Sequence, residues 1–125
     1  MILHPANFLA GWTLVLAGFV SGAGIGLFFH HEDFWGGYTS FRRRIVRLGH
    51  IALVALGMLN VLFSISVPGE MRFARAASLL MIVGGAAMPA VCFLTGWRKP
   101  FRHLFFIPVL SLVAAIVLIL LGGIQ

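Results

Sequence analysis

Charge is what this chain has least of. Only Glu32, Asp33 and Glu70 are acidic among 125 residues, and charged residues of both signs make up 10%. Soluble domains carry about 25% charged residues, so most of this sequence cannot face water. No carboxylate falls inside a long apolar run, which argues against a small exporter driven through a membrane-embedded acid. Cysteine occurs once, as Cys92, so there is no intrachain disulfide and no C-x-x-C-H haem attachment. H-E-x-x-H, a glycine-rich phosphate loop and a nucleophile–base pair are all absent. The chain therefore reads as no enzyme on its own. No pair of interrupted helices with inverted symmetry supports a transporter, which ranks third among the functions considered.

What the chain has in abundance is apolar length. Residues 8–29, 48–67, 76–96 and 104–124 contain no Asp, Glu, Lys or Arg, and hydrophobic residues reach 61% overall. About 20 apolar residues rising ~1.5 Å each cross a hydrocarbon core of roughly 30 Å. The expectation is an all-α integral membrane protein. It forms one domain over 1–125, a compact bundle of four antiparallel transmembrane helices with short loops. The spans are placed at about 8–29, 46–67, 74–96 and 103–124.

Basic residues give the orientation. Arg42, Arg43, Arg44 and Arg47 lie between the first two runs, and Arg98, Lys99 and Arg102 between the last two. The other side has Arg72 and Arg75 alone. The basic loops are expected to be cytoplasmic and both termini, including the Gly122–Gln125 tail, non-cytoplasmic, in a bacterial inner membrane. The first run lacks a preceding cation and exceeds the ~7–15 residue core of a signal peptide, so it reads as a retained helix. The net charge of +6 then serves topology and contact with anionic lipid, not nucleic acid.

Gly11, Gly18, Gly22 and Gly26 share one face of the first helix at 100° per residue. Such a small-residue stripe lets another backbone approach closely. It packs against the second or third span, or serves self-association or docking on another membrane subunit. The second helix has one polar stripe of Arg43, His50, Gly57 and Ser64, flanked by Arg47 and Asn60. Lipid penalises these groups, so they should face protein. Met81, Met88 and Cys92 share a face of the third helix, and Pro89 and Pro108 should kink the third and fourth. Methionine as gap filler is the plainer account of that face; a copper site with His50 ranks low.

Histidine carries the candidate chemistry. His30, His31, His50 and His103 gather at the basic side. Neutral imidazoles on facing helices clamp a b-type haem, so His50 and His103 are the candidate metal ligands, with His30 in reserve. Arg42, Arg47, Arg98 or Arg102 would meet the propionates, and Gly84–Gly85 would leave room for the macrocycle. His50 lies about 5 Å deeper than His103 by helix rise, so Met88 or Cys92 is an alternative partner. Quinone is the other candidate, with Trp97, Arg98 and His103 donating to headgroup carbonyls beside Phe105 and Phe106. Against both stands an ordinary aromatic and basic belt with one packed histidine.

Four short-looped helices, basic loops and isolated histidines resemble the small anchor and cytochrome b subunits of membrane respiratory complexes. The resemblance is architectural, and no residue role comes with it. The leading expectation is a small helical subunit of a respiratory or photosynthetic electron-transfer complex, binding b-type haem or quinone near the cytoplasmic face. The alternative is a cofactor-free structural or assembly subunit that docks on a membrane partner through the glycine-rich first helix.

Overall fold

In a computed structural model describing residues 1–124, four helices fill the chain. They are α1 (Pro5–Phe29), α2 (Phe41–Ser66), α3 (Ala74–Trp97) and α4 (Phe106–Gly123). Two short 3-10 segments, Phe34–Gly36 and Lys99–Phe105, occupy the loops at the basic end. All four helices are long and apolar enough to cross a membrane. The fold class is thus an all-α membrane bundle.

The first three helices begin earlier than their apolar runs, while α4 begins two residues into its own, after the 3-10 segment. Pro5 starts α1 from the first turn, where its missing N–H costs nothing. Ser40 caps α2 by accepting from the Arg43 backbone N–H at 3.2 Å. Arg42, Arg43, Arg44 and Arg47 are good helix formers, so α2 continues through them, past the hydrocarbon and into the interface. Apolarity marks the membrane; capping marks the helix.

Consecutive helices pack side by side, and small residues mark each contact. A Cβ on Gly11 would lie 2.6 Å from the Gly57 carbonyl, so α1 and α2 meet backbone to backbone. A Cβ on Gly84 would lie 2.5 Å from Leu112, joining α3 to α4. Van der Waals packing of this kind holds helices together where lipid removes the hydrophobic drive. Helix α4 buries only Pro108, Ala115 and Gly122 and shows lipid the rest. Its far end returns to the α2–α3 loop, where a Cβ on Gly122 would run into the Arg72 carbonyl.

Polar groups clasp the end opposite the basic loops. Asn7 Nδ2 donates to Asn60 Oδ1 at 2.9 Å and to the Ser78 carbonyl at 3.2 Å. Ser78 Oγ donates back to Asn7 Oδ1. Asn60 Nδ2 donates to the carbonyls of Leu56 at 3.0 Å and Met81 at 3.1 Å. Three helices are thereby tied through two fully buried amides. Beyond them the Leu3 and His4 N–H groups reach the Ser64 carbonyl, and the His4 Nε2 lies 3.0 Å from that of Val67. A carbonyl only accepts, so His4 donates there.

Candidate functional site

At the basic end α1 and α3 do not close on each other, and α2 forms the back wall between them. Two adjoining cavities of about 260 and 560 Å³ occupy that gap, sharing Trp35, Val46 and Phe93. The inner one is walled by Ser21, Gly24, Ile25, Phe28 and Phe29 of α1. The outer one opens past Arg42, Gly96 and Trp97. The larger alone lies within the roughly 300–1,000 Å³ of small-molecule sites.

The sequence shapes this cleft in three ways. Gly24 has nothing within 4 Å of where a Cβ would stand, so α1 leaves an open wall there. Trp35 takes a left-handed conformation, φ 53°, which is strained for a bulky residue. Gly36 and Gly37 follow with φ 83° and 88°, turning the loop so that Trp35 stands over the mouth. Arg42 is fixed by donating from Nε to the Gly96 carbonyl at 2.8 Å, with its guanidinium 5.3 Å from the Trp35 ring centre. Among the described residues its terminal nitrogens have no other protein partner, nor do the indole N–H groups of Trp35 and Trp97. The cleft is thus apolar inside and rich in donors at its mouth.

Arg43, Arg47 and Arg98 are held by contacts within the fold. Arg43 is 3% exposed and donates to the carbonyls of Phe29, His31, Glu32 and Phe34, the second and third at 3.2 and 3.3 Å. These carbonyls cluster at the end of α1 and in its loop, where those of His31 and Phe34 also accept backbone N–H groups, and a cation suits that negative dipole end. The guanidinium also sits 4.5 Å from the centre of the Phe29 ring. Arg47 donates to the Tyr38 carbonyl at 2.9 Å and covers the Tyr38 ring at 4.1 Å. Arg98 covers Trp97 at 5.2 Å.

The histidines do not converge. His50 turns toward α1, its Nδ1 3.3 Å from Ser21 Oγ and its ring against the space that a Gly22 side chain would fill. Ser21 spends its only hydrogen on the Gly18 carbonyl at 2.9 Å. His50 must therefore donate Nδ1–H to Ser21, which leaves Nε2 unprotonated in the neutral ring. His103 is exposed on the 3-10 segment before α4, which packs on α3 and α4. His30 and His31 are exposed with rings 4.0 Å apart. No group of three or more His, Cys, Asp or Glu comes together among the described residues.

Of the glycine stripe, Gly11, Gly18 and Gly22 face α2, while Gly26 has open space beside it. Gly57 and His50 of the α2 stripe meet it directly. Sequence reasoning missed Asn7, Ser21, Ser78 and Trp35. Asn7 lies one turn before Gly11 on the same face, so extending the stripe backward would have found it. No family model, curated protein or solved structure matches the chain.

Proposed function

We propose that this protein is a small helical subunit of a membrane electron-transfer complex. It holds a quinone-type ligand in the cleft between α1 and α3. The observation that carries this reading is the graded chemistry of the cleft. Phe28, Phe29, Val46 and Phe93 form an apolar interior, and Arg42, Trp35 and Trp97 offer donors at the rim. A quinone has that same division, with acceptor carbonyls on a flat ring and an apolar tail. The quinone set drawn from sequence keeps Trp97, exchanges Arg98 and His103 for Arg42 and Trp35, and moves from the segment before α4 to the gap between α1 and α3. Haem clamped by His50 and His103 fits less well, since the two lie on different faces.

The basic end, and with it the cleft mouth, is assigned to the cytoplasm, because Lys and Arg concentrate there. An impermeant thiol reagent should label a cysteine at Ile2 in spheroplasts and leave one at Ser40 untouched, in a Cys92→Ala background. The reverse pattern inverts the assignment.

The ligand is tested in nanodiscs. A short-tailed quinone should quench tryptophan emission saturably, and Gly24→Leu, which projects a side chain into the cleft, should abolish saturation. Quenching that rises linearly in both proteins would remove the ligand from the proposal. The second reading, a cofactor-free structural subunit, draws on Asn7, Asn60, Ser78 and Arg43, whose polar groups serve helix contacts inside the chain. A protein that is colourless before and after dithionite, shows no saturable quenching and co-purifies with other subunits would favour it.

A further inference from the structure

A second surface at the basic end has no part in the cleft. On the side of α2 facing away from it, Phe41, Arg44, Ile45 and Leu48 line a shallow hollow of about 250 Å³. The hollow follows α2 for seven residues, about 10 Å, from the interface into hydrocarbon. Phe41 is 38% and Leu48 50% exposed, so its floor is open to lipid.

Two cations stand at its upper end. Arg44 is exposed and, unlike Arg42, Arg43 and Arg47, makes no side-chain hydrogen bond among the described residues. Lys99, at the start of the segment leading to α4, holds its ammonium 5.3 Å from the Phe41 ring centre. Among the described residues no carboxylate answers either one. Glu32 and Asp33 lie in the α1–α2 loop, and Glu70 is at the opposite end of the bundle. Arg42, Arg43 and Arg47 each bond a carbonyl and face the cleft or the loop, while these two charges remain available beside an apolar trough.

We infer that Arg44, Lys99 and the Phe41–Ile45–Leu48 hollow form a seat for one anionic phospholipid of the leaflet at the basic end. The phosphate lies between the two cations, and the first part of an acyl chain lies along the hollow. The chemistry selects a lipid over a free anion, because two exposed cations alone bind inorganic phosphate weakly in water. The trough adds apolar contact that only a tailed ligand can use. A zwitterionic lipid fills the trough but brings its own cation to the arginine and lysine.

Native mass spectrometry of the intact protein, exchanged from detergent into phosphatidylglycerol or phosphatidylcholine, reads the seat directly. Two cations, each worth about fivefold near an anionic headgroup, give a preference for phosphatidylglycerol of roughly twenty- to thirtyfold. Arg44→Gln with Lys99→Gln should reduce it to near unity. Arg75→Gln, which removes one charge at the other end of the bundle, should leave it unchanged. Leu48→Gln keeps both cations and spoils the trough, so retention of both lipids should fall. A wild-type protein without preference, or a preference that survives the double variant, overturns the seat. So does full displacement of the lipid by millimolar inorganic phosphate, which would mark a site for the free anion. Circular dichroism melts of each variant confirm that a lost preference is not lost fold.

Discussion

The two ends of the bundle solve the same problem in opposite ways. At the end holding the amino terminus, side chains bond to side chains across helices: Asn7, Asn60 and Ser78 draw α1, α2 and α3 into contact. At the basic end, side chains bond to backbone. Arg43 and Arg47 reach the carbonyls of the α1–α2 loop, and Arg42 the last carbonyl of α3 before Trp97. The first device fixes the distance between helices. The second closes loops and leaves α1 and α3 apart. A buried amide network in hydrocarbon must be fully satisfied, and Asn7 and Asn60 meet that condition with partners on α1, α2 and α3. Arginines at the interface impose no such condition, and the cleft lies where they do the holding.

The α1–α2 seam spans both ends, so breaking it should have the largest effect. In Gly22→Leu the new side chain meets the His50 ring, a Cβ alone approaching Cε1 to 2.6 Å. We expect a loss of about 1–3 kcal/mol or more, with poor yield of folded protein on a native gel. Gly24→Leu, two residues on, should stay within about 0.5 kcal/mol of the parent. Equal tolerance of both would show that the seam does not hold the helices.

Asn60→Leu comes next. It removes the shared partner of Asn7 and frees the Met81 carbonyl, for an expected cost of about 1–2 kcal/mol in an SDS or thermal titration. The damage should appear first as looser contact at the amino-terminal end, with quinone quenching retained. If quenching disappears with the network, the two ends are one cooperative unit. Arg43→Gln is the counterpart at the basic end. It leaves carbonyls of the α1–α2 loop without their cation, and proteolysis within residues 30–40 should rise before helicity falls.

The smallest change in stability belongs to Trp35→Ala. Alanine keeps the Cβ that makes the left-handed conformation costly, and the tryptophan it replaces is 44% exposed, so the melting temperature should hardly move. Affinity for the quinone should nonetheless fall, by up to about tenfold, which is the worth of one aromatic stacking contact. Unchanged affinity would remove Trp35 from the rim.

The spans were legible because hydrocarbon admits few residue types, so four uncharged runs had one physical meaning. The seam was legible as far as Gly22, because glycine spacing on one helix is a one-dimensional pattern. The polar stripe of α2 was legible at Asn60 and His50 for the same reason. Their partners were not. Ser78 pairs with Asn7 across 71 positions, and no periodicity links such residues. Arg43 looked like one cation of a run, and only the path of the loop shows that it is buried there. The cleft was hidden altogether, since it depends on how far two helices separate, and neither helix records that distance alone.

Arg43 has a consequence for how the chain enters a membrane. Its donors satisfy carbonyls only 9 to 14 positions earlier in sequence. The loop is therefore closed by the helix that follows it and needs nothing from α3 or α4. A translocon releasing the chain from its amino terminus would meet a hairpin of α1 and α2 whose turn is finished as soon as α2 begins to wind. Partition into lipid then becomes a commitment of two helices at once, made while the second half of the protein is still being synthesised.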